Sequence, residues 1–88
     1  MEIKGTLHAV ICIEKIGEIP FLDPYIVAVF DNMEEAEARA DLCYKEMVSE
    51  YKQMEAKSKG TEHYTFDDIH RCATHNGVKS WTYMVAGQ

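Results

Sequence analysis

The sequence lacks any long run of apolar residues, and it has few basic side chains. No stretch approaches the ~18 consecutive apolar residues of a membrane-spanning helix, so we predict no membrane contact. Nine Lys and Arg stand against fifteen Asp and Glu, which gives a formal net charge of −6. Because nucleic-acid binding relies on basic side chains that neutralise phosphates, this balance argues against direct nucleic-acid binding. The amino-terminal residues show no basic leader with a small-residue cleavage site, so we expect a cytoplasmic protein.

Motifs that carry catalysis or bind phosphate are also missing. There is no GxxxxGK[ST] loop, no GxGxxG and no GxSxG. The three cysteines, Cys12, Cys43 and Cys72, are odd in number and widely spaced, unlike a disulfide framework, so we predict reduced thiols. None of them lies in a glycine-rich turn or at a clear helix start, where a thiol pKa falls. We therefore predict no catalytic residues and a protein that is not an enzyme.

Imidazole and thiolate side chains gather in the last third of the chain, and together they suit zinc. They are His63, His70, Cys72 and His75. No paired CxxC or HxxxH spacing occurs among them, so we predict neither a metal site nor a cofactor. A small-ligand module, for a nucleotide or a metal, remains the alternative. It would use the region of His70, Cys72, Trp81 and Tyr83.

The first third of the chain predicts two antiparallel strands. Residues 3–16 alternate with period two, which predicts a strand with one buried face. We expect Ile3, Leu7, Ala9, Ile11 and Ile13 on that buried face. Residues 25–30 form a nearly continuous apolar run, typical of a central strand. Residues 17–24 contain Pro20 and Pro24 and are predicted to be the connecting loop.

A long helix follows with clear boundaries. Asn32 and Glu35 have the spacing of a capping box, and no Pro or Gly interrupts residues 33–58. Gly60 supplies the stop. Residues 76–77 are Asn-Gly, the preferred turn of a hairpin that would pair 69–75 with 78–85. Alternatively, Thr65 caps a short second helix. We predict a single α+β domain over residues 1–88, with an antiparallel sheet packed on one long helix, ordered ββαββ (alternative ββααβ).

The predicted helix is longer than its strands. Twenty-six residues span about 39 Å, whereas strands of six to eight residues reach about 20–27 Å. The overhanging end would need cover, either from the carboxy-terminal segment or from a second copy of the protein. The second possibility predicts a homodimer. Its interface would consist of the apolar residues at that end: Met47, Val48, Tyr51 and Met54.

Two surfaces are candidates for binding another protein. The first is the acidic helix face, whose charge suits a partner with a basic surface. It comprises Glu34, Glu37, Asp41, Glu46 and Glu50. The second is the loop tip, where Phe21 and Leu22 are unusually apolar for a hairpin connection and could anchor a partner.

Residues 26–37, IVAVFDNMEEAE, resemble a strand-to-helix junction found in small phage and prophage accessory proteins. The pattern consists of Val29, Phe30, Asn32, Glu34, Glu35 and Ala36. Such proteins often act without catalysis, by binding a host enzyme or a defence component. The resemblance implies a non-catalytic, phage-type inhibitor or modulator of a host protein complex. It marks no functional residues.

Overall fold

The computed structural model describes residues 7–20 and 24–87, and it shows one helix packed on an antiparallel sheet. The predicted α+β class is therefore confirmed. Within the described residues, no helix combines the length and the apolar composition that a membrane span requires. The elements, in chain order, are β1 (His8–Ile16), β2 (Ile19–Pro20), β3 (Tyr25–Phe30), α1 (Met33–Lys57), β4 (Tyr64–Asp67), β5 (Cys72–His75) and β6 (Lys79–Gly87).

The sheet has more strands than the predicted ββαββ order. Its path is β2-β1-β6-β5-β4, and β3 pairs with β1 on the edge that β2 also uses. The predicted loop over residues 17–24 therefore contributes the short strand β2. Gly17 has φ +62°, which permits the tight turn from β1 into β2. The central pair is β1 with β6, which align over nine residues each.

The structure resolves the carboxy-terminal third in favour of the hairpin. Asn76 and Gly77 have φ values of 50° and 71°, and they connect β5 to β6. Thr65 lies in strand β4, which pairs with β5, so the alternative second helix is absent from the described residues. The Asp67 side chain accepts hydrogen bonds from the backbone N–H groups of Ile69 and His70. These bonds stabilise the turn between β4 and β5, where the alternative placed a helix.

The helix begins and ends close to the predicted residues. The Asn32 side chain accepts hydrogen bonds from the backbone N–H groups of Glu34, at 2.7 Å, and Glu35, at 3.2 Å. The predicted cap by the Asn32 side chain is therefore confirmed, whereas the hydrogen bonds of the described residues do not include the reciprocal bond from the Asn32 N–H to the Glu35 side chain. Ser58 closes the last turn, and the left-handed Gly60, with φ 89°, leads the chain away.

Strand β1 buries the face opposite to the one that the sequence predicts. Val10 and Cys12 are fully buried on the helix side, where Val10 packs with Ala36 and Ala40. Leu7, Ala9, Ile11 and Ile13 lie on the other side of the sheet, and Ile3 lies outside the described residues. The prediction of a buried face there is wrong because alternation shows which residues share a face. It does not show which of two apolar faces the helix covers.

The helix does not overhang the sheet as predicted. Met47 is only 7% exposed, and it forms a core cluster with Tyr44 and Ala73. Val48 and Tyr51 pack against the same cluster, and Met54, at 40%, is the most exposed of the four predicted interface residues. The chain's own strands thus supply the cover, and an interface built on Met47 is contradicted. Comparing the length of the helix with the length of a single strand was misleading, because α1 crosses several strands. The width of the sheet therefore also supports the helix.

Candidate protein-binding cleft

An open cleft of about 280 Å³ lies between α1 and strands β1, β3 and β6. Its lining combines carboxylates with aromatic rings. The carboxylates are Glu14, Glu46 and Glu50, and the rings belong to Tyr25, Tyr51, Trp81 and Tyr83. Cys43 and Met47 complete the described lining, which contains no Lys, Arg or His. The cleft is therefore negatively charged at neutral pH.

The helix sets the spacing of the two carboxylates on its side. Glu46 and Glu50 are four residues apart, so both point along one face of α1 toward the cleft. Like charges at this spacing destabilise a helix slightly. The ion pairs within the described part of the chain include neither residue. Their position thus costs some stability that no ion pair among the described residues offsets.

The floor of the cleft is built around Trp81. Its indole Nε1 donates a 2.6 Å hydrogen bond to Oε1 of Glu14, the residue directly across on β1. The ring of Tyr51 on the helix packs against the indole in a tilted arrangement, with the ring centroids 5.1 Å apart. The Lys79 ammonium lies 5.0 Å from the centroid of the Trp81 ring, so this ring already attracts a cation within the chain.

The tyrosine and cysteine side chains of the cleft stay protonated at neutral pH. Burial raises the pKa of Tyr51 to about 12. The hydrogen bond with Cys12, followed by burial, raises the pKa of Tyr25 to about 12. Burial also raises the pKa of Tyr83 and of the Cys43 thiol. The carboxylates are thus the charged groups of the lining. An activated cysteine requires a lowered thiol pKa, so the raised pKa of Cys43 argues against a reactive thiol here.

The other predicted acidic residues lie elsewhere on the helix. Glu37 and Asp41 both pair with Arg71, whose Nε donates a 2.8 Å hydrogen bond to Oδ1 of Asp41. Their carboxylates are therefore paired within the chain. Arg71 is 30 or more residues away in the sequence, so no local sequence pattern indicates this pairing. Glu34 is exposed in the first helical turn, away from the cleft. Phe21 and Leu22 of the predicted loop surface lie outside the described residues.

The region predicted for a small ligand or metal is split by the sheet. Cys72 pairs with Thr82, so it lies on the face opposite to Trp81 and Tyr83. His70 lies in the turn after β4, where its Nδ1 is 2.6 Å from Oδ2 of Asp67. The four residues therefore do not form one platform. In the part of the chain that the structure describes, no group of three or more His, Cys, Asp or Glu is placed to hold a metal ion.

The lining suits a positively charged side chain. Carboxylates give it charge, and the flat rings give it surfaces on which a guanidinium can stack. Glu46 and Glu50 were predicted from the helix pattern, whereas Glu14 and Trp81 join them only through strand pairing across 67 residues of sequence. Comparisons of the chain with protein-family models, with curated proteins and with solved structures find no match.

Proposed function

We propose that the protein is a non-catalytic binding module that recognises a basic surface on a partner protein. The cleft between α1 and the sheet would receive an Arg or Lys side chain of that partner. The observation that carries this proposal is the composition of the cleft, where three carboxylates and four aromatic rings meet, and where the Lys79 ammonium already lies on the Trp81 ring.

The chemistry of such a contact is well defined. A guanidinium stacked on a Trp or Tyr ring gains about 0.5–2 kcal/mol, and a carboxylate at its edge adds charge-assisted hydrogen bonds. The net charge of −6 would also speed the encounter with a basic partner and make association sensitive to salt. Rings already fixed by packing lose little freedom when the partner binds.

The junction at residues 26–37, with its resemblance to phage accessory proteins, supports a host protein as the partner. A host protein that handles nucleic acid presents a basic surface, and an acidic protein seated on that surface would exclude the nucleic acid. Inhibition or modulation by occupancy is therefore the proposed mode of action. The nucleotide alternative has less support, because its phosphates would face the carboxylates of the cleft.

Affinity capture from a host lysate tests the proposal with two variants of equal net charge. E46Q/E50Q removes two carboxylates from the cleft, whereas E34Q/E35Q removes two from the exposed start of the same helix. We expect the wild type and E34Q/E35Q to retain the same basic protein and E46Q/E50Q to lose it. Equal retention by both variants would show that the cleft takes no part in binding.

A further inference from the structure

The sheet face opposite the helix is apolar over three neighbouring strands. Ile11 on β1 has Ile26 of β3 on one side and Met84 of β6 on the other. Ile26 is 63% exposed and Met84 is 41% exposed. A shallow groove of about 340 Å³ runs over this face between Leu7 and Val29. We name the apolar side chains on this side of β1, β3 and β6 the back face: Ala9, Ile11, Ile13, Ile26, Val29, Met84 and Ala86. Ile26, Val29 and Met84 are exposed, and the other four are half-buried.

The back face carries no acidic side chain, although the chain has fifteen. The only acid in these three strands is Glu14, and it points to the helix side, where it bonds Trp81. Lys15, at the end of β1, is the only base that alternation places on this side of the three strands. The largest exposed apolar patch of a protein is often a functional surface, so the back face is a candidate interaction site.

We infer that the back face binds the back face of a second copy, so that the protein forms a two-fold symmetric dimer. The distribution of charge favours a second copy as the partner of the back face. A chain of charge −6 repels itself through its helix side, but two back faces meet without bringing any acid together. A basic partner would gain no ion pair here. In a two-fold interface the same patch lies on both subunits, and an uncharged apolar patch matches its own copy.

The area of the back face suits a weak interface. Strands β1, β3 and β6 contain 9, 6 and 9 residues. At about 3.3 Å along a strand and 4.8 Å between strands, they cover roughly 380 Å². Two such faces would bury on the order of 800 Å², which is typical of weak, transient pairs. Sheets also pack face to face at about 10 Å with their side chains interdigitated. The dimer is therefore expected to be reversible and to depend on concentration.

Sedimentation equilibrium of the full chain over a range of concentrations tests the inference. The expected wild-type result is a transition from 10.1 kDa to twice that mass. I26K and M84K each place a charge on the back face, and the symmetry repeats it in both subunits, so the dissociation constant should rise about 100-fold. The matched control is I69K, because Ile69 is 87% exposed in the turn after β4. I69K should dimerise like the wild type.

Circular dichroism shows whether each variant keeps its fold, and only folded variants are compared. Two results would overturn the inference. One is a wild type that stays monomeric at all concentrations, which would leave the back face to a different occupant. The other is a dimer that folded I26K and M84K do not weaken. The proposed cleft lies on the opposite side of the sheet, so E46Q/E50Q should dimerise normally. Failure of one proposal is thus distinguishable from failure of the other.

Discussion

Trp81 and Glu14 face each other across the central strand pair, and the indole Nε1 donates a 2.6 Å hydrogen bond to the Glu14 carboxylate. The bond joins the one tryptophan of the chain to a carboxylate of the cleft. It holds the indole in place and keeps a negative charge beside it. Both properties are needed in a site that receives a cation, so this pair links the stability of the sheet to the proposed function.

Substitutions of Glu14 separate these two roles. E14A leaves the partly buried indole N–H without its acceptor, which should lower the free energy of unfolding by about 1–3 kcal/mol. E14Q retains a carbonyl oxygen that can accept the hydrogen bond. Its loss in the free energy of unfolding should therefore be less than half of the loss in E14A. Urea denaturation of both variants measures the difference. Equal losses would show that the bond contributes little to stability.

Arg71 is expected to fasten the turn after β4 to the helix. Its side chain is 17% exposed and pairs with Glu37 and Asp41, which are four residues apart on α1. R71Q removes the cation and leaves the two carboxylates to repel each other, so we expect a loss of about 1 kcal/mol in the free energy of unfolding.

Salt dependence identifies the cause of that loss. Added salt should slightly lower the free energy of unfolding of the wild type, because salt screens the attraction between Arg71 and the two carboxylates. The same salt should leave the free energy of unfolding of R71Q unchanged or raise it, because in that variant it screens only the repulsion between the carboxylates. The triple variant E37Q/D41N/R71Q should recover part of the lost stability. A triple variant no more stable than R71Q would indicate that Arg71 acts through packing of its aliphatic stem.

The tyrosines should make the protein sensitive to alkali. The pKa values of Tyr25 and Tyr51 rise from 10.0 to about 12 in the folded state. The unfolded chain therefore releases these protons first, so stability is fully present below pH 10 and falls as the pH rises toward 12. Y51F keeps the ring and removes the ionisable group, and its stability should fall less over this interval.

Urea midpoints measured between pH 9 and pH 12 give this dependence, and phenolate absorbance reports ionisation directly. In the folded protein the phenolate signal should appear well above pH 10, together with unfolding. Tyrosines that all ionise near pH 10 while the fold persists would contradict the burial seen for Tyr51.

Local signals account for the parts of the fold that the sequence predicts. The Asn32 cap and the Asn76-Gly77 turn act within a few residues, so both could be read directly. The buried face of β1 could not be predicted in this way, because Val10 and Ile11 are both apolar. The helix covers only the face that carries Val10. Two apolar faces on one strand are themselves a signal, and the exposed one is now the proposed dimer surface.

The candidate site divides in the same way. Glu46 and Glu50 belong to a helical pattern, so their shared face was predictable. Trp81 joins them through strand register, and Arg71 pairs with Glu37 and Asp41 across 30 or more residues of sequence. Pairing over such distances depends on the completed sheet. The sequence therefore indicated an acidic surface, but it could not show which acids are free to bind.

Trp81 fluorescence during titration with an arginine-rich peptide tests the central claim most directly, because the single tryptophan lies in the cleft. The wild type and E34Q/E35Q should show the same saturable change, which weakens with added salt. E46Q/E50Q should bind at least about tenfold more weakly at the same net charge, which corresponds to about 1.4 kcal/mol. An equal loss in both double variants, or a signal that never responds to the peptide, would contradict recognition by the cleft.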